Sequence, residues 1–327
     1  MKKIRVSIGT AGVLGLLKLH SDAEPTTAYL MTYTQRNCRA NCAFCPQARQ
    51  SSSSKELLSR VVWPAFPLAL VVERIATKVR EKKLRRVCMQ SLNFPGFAKD
   101  ISEIASSILS KVSVPISISC PPVPREKMET LKQLGVERIG LPIDGATQQI
   151  FDSIKGSAVK GPYHWQTHIE SLKEALDVFG ANKVSTHIII GLGETEQDAV
   201  NIIQKLYDIG VNPSLFAFTP IKGTKLGDHK RPGIDQYRRV QLARYVILQG
   251  ASSAQSMRFN SEGKIVDFGV SQENIDRFTS LGDPFMTAGC PNCNRPFYTE
   301  SPMGPIYNYP RRLSNSEIRK ALDELTK

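Results

Sequence analysis

The sequence predicts an α/β fold: a (β/α)8 TIM-type or nearly closed parallel barrel, followed by a cysteine-bearing loop and a C-terminal helix. Three observations predict it. Short apolar, β-branched runs alternate with longer amphipathic segments, the rhythm of parallel strands joined by crossover helices. Seven or eight such units follow one another within 327 residues, enough for one barrel of roughly 250 residues with additions. The residues with metal- or ligand-binding character fall at or near the predicted strand ends, where a barrel gathers its site.

The elements follow in order. Residues 1–28 form an N-terminal extension whose start, "MKKIRVSIGTAGVLGLLKL", has a basic then an apolar stretch. Ser7, Thr10 and several glycines dilute it and Lys18 closes it early, which argues against an export signal. The barrel is expected over residues 29–270. Its strands are read at 29–35, 86–92, 115–120, 138–144, 184–192, 214–220, 254–260 and 264–270. Helices are read at Leu68–Lys83, Asp100–Leu109, Pro124–Leu134, His164–Val178, Glu196–Ile209 and Ile234–Gln249. "QSSSSK" (50–55) reads as a flexible connector. Residues 271–327 form a Pro-, Gly- and Asn-rich segment ending in a helix that opens with the capping-box pattern Ser314-x-x-Glu317.

The formal net charge of +13 and pI near 9.4 suggest an acidic partner: nucleic acid, an anionic membrane surface or an acidic protein. The cations are scattered in short pairs, so an ordinary solvated surface explains them equally well. No window reaches the apolar length of a membrane span, and "VVWPAFPLALVV" (61–72) is broken by two prolines. The expectation is a soluble protein. Seven cysteines, an odd number with three crowded together, point to metal-bound thiolates in a reducing compartment, hence to the cytoplasm.

Three of those cysteines stand in "CRANCAFCPQ", with Cys38, Cys42 and Cys45 at the spacing C-x3-C-x2-C. A tetrahedral zinc needs a fourth ligand nearby, whereas three thiolates on a cubane iron-sulfur cluster leave one iron open. The spacing, with Phe44 before the last cysteine, resembles the radical S-adenosylmethionine (AdoMet) superfamily, and "CPQ" is similar to biotin synthases. The resemblance implies a 4Fe-4S cluster whose open iron chelates AdoMet. Half of a zinc knuckle is the plainer alternative.

"HIIIGLGET" (187–195) resembles the fifth-strand segment of biotin synthases. By that likeness Ile189 lines the adenine, Gly191 and Gly193 shape the turn, and Glu194 fixes it. "FTPIKGTKL" (218–226) similarly implies Ile221 against the adenine, and Asp144 in "PIDGAT" matches the acid that binds the ribose hydroxyls; helix N-capping is its alternative. Gln90, in "VCMQ", joins the expected cofactor contacts.

The remaining cysteines are Cys88, Cys120, Cys290 and Cys293, a full ligand set for a second metal centre. "CPNC" is a strong half-site by its spacing. Cys88 and Cys120 fall where biotin synthases place two ligands of a sacrificial 2Fe-2S cluster, and Arg258 falls where they carry an arginine ligand. Ser185 stands where they have their third cysteine. The tail pair makes up that loss, giving a second, auxiliary 4Fe-4S cluster; a structural zinc, with Cys88 and Cys120 as buried hydrophobes, is the alternative.

The whole chain, and the tail "CPNCNRPFYTESP" most of all, resembles the larger protein of the archaeal-type two-protein lipoyl synthase. That implies a sulfur-inserting transferase of lipoate biosynthesis: a 5′-deoxyadenosyl radical takes hydrogen from an octanoyl chain on a carrier-protein lysine, and the auxiliary cluster donates sulfur. Implied partners are an acidic lipoyl-carrier protein or peptide, a homologous radical AdoMet protein and an electron donor such as ferredoxin. A biotin-synthase-like or tRNA-modifying radical enzyme is the first rival, although no basic-aromatic stripe supports RNA binding. A non-catalytic iron-sulfur partner subunit is the second.

Overall fold

The computed structural model describes residues 2–325. Met1, at the start of the expected extension, and Thr326 and Lys327, at the end of the expected tail, lie outside the described residues. The strands are β1 (Lys3–Val6), β2 (Thr27–Thr32), β3 (Leu57–Leu58), β4 (Val61–Val62), β5 (Ala65–Pro67), β6 (Arg86–Gln90), β7 (Ile116–Ser119), β8 (Arg138–Gly140), β9 (Val184–Ile190), β10 (Asn212–Ala217), β11 (Arg258–Phe259) and β12 (Ile265–Asp267). The helices are α1 (Ile8–Val13), α2 (Leu68–Arg80), α3 (Phe97–Leu109), α4 (Arg125–Gln133), α5 (Gln148–Ile154), α6 (Trp165–Phe179), α7 (Glu196–Asp208), α8 (Ile234–Leu248), α9 (Gln272–Thr279) and α10 (Asn315–Leu325).

Eight strands make one sheet in the order β10-β9-β8-β7-β6-β2-β1-β5. From β2 to β10 neighbouring strands run parallel and in chain order, as crossover helices dictate. β1 then joins β2, and β5 joins β1, both antiparallel. Among the described residues the edge strands β10 and β5 do not pair, so the parallel sheet is an open, partial barrel of six strands. The last two expected strands are its missing staves: β11 and β12 form a separate two-stranded antiparallel ribbon. The reason is local, since "NSEGK" is turn sequence between two very short strands and favours a hairpin. The N-terminal extension, for its part, contributes β1 to the main sheet.

Alternation along the strands sets the two faces of this wall. In β9, Val184, Thr186, Ile188 and Ile190 are fully buried, while Ser185, His187 and Ile189 are half-buried on the opposite face. The first set packs with Val87, Ile116, Ile139 and the apolar stripes of α2, α3, α6 and α7 into the main core. Each fully buried Ile or Val there contributes roughly 1.5–3 kcal/mol. The second set faces the hollow of the barrel.

The tail fills the open side. Tyr29 of β2 uses its hydroxyl to accept from the backbone N–H groups of Asn294 (3.2 Å) and Arg295 (2.8 Å). Opposite, the Arg295 guanidinium caps the Phe216 ring of β10 at 3.8 Å, and Thr219 donates to the Thr299 carbonyl at 2.6 Å. Arg86 donates to the Pro291 carbonyl at 2.9 Å from below.

Candidate functional site

Three loops at the C-terminal ends of the strands build the mouth. The loop after β2 carries Cys38, Cys42 and Cys45 and is pinned on two sides. Ala43 N–H donates to Ile154 (2.6 Å) and Arg39 N–H to Asn93 (2.7 Å), while Leu226 N–H donates back to Ala43 (3.0 Å). "QSSSSK" is docked as well, through Ser52 N–H to Gly223 at 3.0 Å, so the expected connector is part of the wall.

The three motif thiols line one cavity with Asp144, Lys155, Tyr163 and His187. No disulfide joins them. Burial pushes all three thiols up, Cys42 to about 12. Bare thiols in this pocket therefore stay protonated, and an electropositive metal centre is what would hold them as thiolates. Among the described residues no three His, Cys, Asp or Glu side chains converge as ligands of a metal ion. A cubane binds each cysteine through a different iron, so its ligands stand further apart than those of one ion. The all-sulfur donor set fits an iron-sulfur cluster and suits neither Mg2+ nor Ca2+.

Asp144 sits in the left-handed backbone region (φ 63°) and is buried. It is no helix cap, because Thr147 caps α5. Its carboxylate accepts from Lys155 Nζ at 2.6 Å, and that ammonium also reaches the Pro142 carbonyl (2.7 Å) and the Tyr163 and Phe151 rings. The turn after β9 is held by Glu194, whose two carboxylate oxygens accept from Gly191 N–H (2.6 Å) and Leu192 N–H (2.9 Å). A Cβ at Gly191, already at φ 104°, would lie 2.7 Å from Pro232. Gly193 takes φ 109°. Phe44, Ile189, Leu192 and Phe218 form an apolar patch beside this turn. Ile221 is buried in the turn after β10, outside the cavity lining.

Beyond the motif lies a cavity of about 210 Å³. Cys45, Gln90, Asp144 and His187 border both spaces. The main cavity is walled by Phe44, Leu58, Trp63, Ile139, Ile189, Phe216 and Phe218, and at its far side by Cys88, Cys290 and Cys293. Cys293 N–H donates to the Cys290 carbonyl at 2.9 Å, folding the CPNC turn. Gln90 Nε2 donates to Cys88 Sγ (3.3 Å) and Ser117 Oγ to Cys290 Sγ (3.4 Å); Tyr29 Oη and Cys293 Sγ are 3.4 Å apart. Burial pushes the Cys88 and Cys293 thiols up, with their neighbouring thiols adding to the effect and Arg295 opposing it.

Two expected members are not brought here. Cys120 shares the strand parity of Ile116 and Ile118 and packs into the main core, bordering the motif-side cavity only. Alternation along β7 turns Ser117 toward Cys290 in its stead. Arg258 lies on the β11–β12 ribbon with its side chain 76% exposed, paired with Asp267 at 2.8 Å. The arginine beside the far-side thiols is Arg295, which with Arg138 lines the cavity and which the sequence reading passed over; its position two residues after the CPNC pair was the available signal. His187 was also missed. Its ring packs against Phe216 with centroids 4.6 Å apart and the planes tilted by 51°, burial lowers it to about 4, and among the described residues no group hydrogen-bonds its ring nitrogens. It therefore offers a neutral imidazole to the cavity.

A family model described as the Radical SAM superfamily matches residues 32–206, more than half of the chain. Biotin synthase of Persephonella marina is 25% identical over 198 residues, covering 59% of this chain and 55% of that protein. Biotin synthase of Paramagnetospirillum magneticum is 25% identical over 243 residues, covering 70% and 68%. The chain thus spans little more than half the length of the first of these relatives. Among solved structures, the FeFe-hydrogenase maturase HydG of Carboxydothermus hydrogenoformans superposes with a TM-score of 0.53 at 18% identity, over 68% of this chain and 52% of that one. Methylornithine synthase superposes at 0.53 with 11% identity, over 74% and 73%. At such identities the likeness shows the fold alone. No helix among the described residues is long and apolar enough to cross a membrane.

Proposed function

We propose that this chain, which belongs to the radical SAM superfamily, is a biotin-synthase-like enzyme that inserts sulfur at unactivated carbon. One observation carries the reading: two groups of three thiols, Cys38/Cys42/Cys45 and Cys88/Cys290/Cys293, line two adjoining cavities that share Cys45, Gln90, Asp144 and His187 as their border. Cys38, Cys42 and Cys45 would hold a 4Fe-4S cluster; Asp144, Gln90, Ile189, Gly191, Gly193, Glu194 and Phe44 are the residues we assign to AdoMet. Cys88, Cys290 and Cys293 would hold an auxiliary cluster, with the Ser117 and Tyr29 hydroxyls and Arg295 in place of the expected fourth thiol. When bound, these groups supply a radical able to take hydrogen from carbon and a sulfide to replace it. The chain's own part is to exclude water with its aromatic and aliphatic walls and to hold the target carbon between the two thiol groups.

Within that class we read the substrate as an octanoyl chain on a carrier-protein lysine, a lipoyl-synthase activity, supported by the largely apolar cavity and the CPNC tail. Relatives that are biotin synthases favour a second reading, a small-molecule substrate. Anaerobic turnover with an octanoyl-lysyl peptide, dethiobiotin and tRNA, read by mass for added sulfur, separates them. Sulfur in the peptide supports the lipoyl reading, and sulfur in dethiobiotin replaces it. Retention of about four irons per chain after Cys38, Cys42 and Cys45 are changed to Ala is the expected sign of the auxiliary cluster. Loss of all iron would sink sulfur insertion as the mechanism.

A further inference from the structure

The cations that look scattered along the sequence are gathered by the fold at the mouth of the cavity. Residues 36–60 carry Arg36, Arg39, Arg49, Lys55 and Arg60 against Glu56; residues 218–233 carry Lys222, Lys225, Lys230 and Arg231 against Asp228. With Lys160 these segments hold a net +8 of the chain's formal +13. Hydrogen bonds fasten them into one rim. Ser52 N–H and Ser51 Oγ donate to Gly223, Leu226 N–H donates to Ala43, Asn41 Nδ2 to Val159 and Arg49 Nη2 to Lys160. Eight of the ten cations are exposed, Arg60 and Arg231 being half-buried, and among the described residues none of the ten stands in an ion pair. Elsewhere several surface cations are paired, as in Arg125–Glu129, Lys111–Glu73 and Lys2–Glu103, and the remainder of the chain carries the smaller share, +5, of the net charge.

Like charges held together cost stability, and the rim keeps them on the same loops that supply Phe44, Cys45, Leu58 and Phe218 to the cavity wall, where a substrate larger than the cavity would touch the protein. We propose that this rim is the docking surface for an acidic protein domain that presents the substrate into the cavity. The inference rests on the reading of the substrate as carrier-bound. A nucleic-acid partner is the less favoured occupant because no large aromatic is exposed on these loops to stack a base.

The test uses the full-length, cluster-reconstituted protein and the triple variant Lys160→Glu, Lys222→Glu, Lys230→Glu. Its probes are an acidic carrier domain bearing octanoyl-lysine, an uncharged octanoyl-lysyl tripeptide, and tRNA. All three side chains are exposed and, among the described residues, make no side-chain hydrogen bond, so iron content and circular dichroism should match the parent. The carrier should bind the variant about tenfold more weakly, with the parent's affinity falling as salt rises from about 50 to about 300 mM. Turnover of the tripeptide should be equal in both. Unchanged carrier affinity in the variant, or no carrier binding by the parent, overturns the proposal. Tighter binding of tRNA, lost in the variant, assigns the rim to nucleic acid and overturns it too. If the carrier docks in a charge-dependent way but neither octanoyl probe is turned over, the docking surface stands and the acyl chemistry falls.

Discussion

Glu194 holds the turn after β9 with both carboxylate oxygens, so Glu194→Ala leaves two backbone N–H groups without partners. At about 1–3 kcal/mol for each buried orphan, the loss should appear in chemical denaturation and as weaker AdoMet binding. His187→Phe keeps an aromatic ring against Phe216 and removes the ring nitrogens. It should leave AdoMet affinity intact while 5′-deoxyadenosine formed per sulfur inserted rises about three- to tenfold, the worth of one hydrogen bond to substrate; an unchanged ratio would show that the imidazole touches nothing that reacts. These two residues also mark what the sequence disclosed. Glu194 was legible through the likeness of "HIIIGLGET" to a known segment, and the whole contact lies within that short stretch. His187 and Arg295 were not, since each gains its meaning from Phe216 on a separate strand. Cys120 misled because counting thiols ignores strand parity: Ser117, three residues earlier, is the side chain that alternation aims at Cys290.

At the scale of elements, six helices match their expected bounds within about three residues, and in five of them an apolar stripe repeats at helical period, α8 being the exception. α8 is buried nearly all round because the tail wraps it, and Arg238 at its centre is fully buried. That guanidinium binds Glu324 of α10 at 3.0 Å, Gln241, the Ile306 and Tyr307 carbonyls, and caps the Phe285 and Tyr309 rings. Arg238→Met leaves Glu324 buried without its cation and should cost about 3–5 kcal/mol in equilibrium unfolding. The start of α10 is the predicted capping box, with Ser314 N–H donating to Glu317 at 2.7 Å and Glu317 N–H to Ser314 Oγ at 3.3 Å. Hydrogen bonding to Arg311 lowers Glu317 from 4.5 to about 2. A depressed carboxylate contributes stability above its unfolded value and loses it as pH falls toward the folded one. The melting temperature of the parent should therefore drop more steeply between about pH 4.5 and about pH 2 than that of Glu317→Gln; parallel curves would deny the pair any role.

For the whole molecule, six parallel strands leave a barrel unclosed, and the wall that completes it is the tail. Sequence rhythm could not show this, because the tail closes the gap with loop, not strand, and loops carry no period. Tyr29 is the hinge of that arrangement: its hydroxyl accepts two tail N–H groups, stands 3.4 Å from Cys293 Sγ, and its ring lies 5.0 Å from Tyr298. The same contacts that seal the barrel thus aim Cys290 and Cys293 into the cavity, coupling closure of the fold to assembly of the second thiol group. Tyr29→Phe preserves the ring packing and removes the hydroxyl, freeing both N–H groups at a cost of about 1–3 kcal/mol each. In a background with Cys38, Cys42 and Cys45 changed to Ala, this variant should retain fewer irons per chain than its parent and be cleaved faster by protease within residues 286–300. The motif thiols, held by a different loop, should load iron normally when Tyr29→Phe is placed in the otherwise unaltered chain. Equal iron loss at both thiol groups would instead mean that Tyr29 supports the fold as a whole, and that the tail is not the separate arm on which the second group depends.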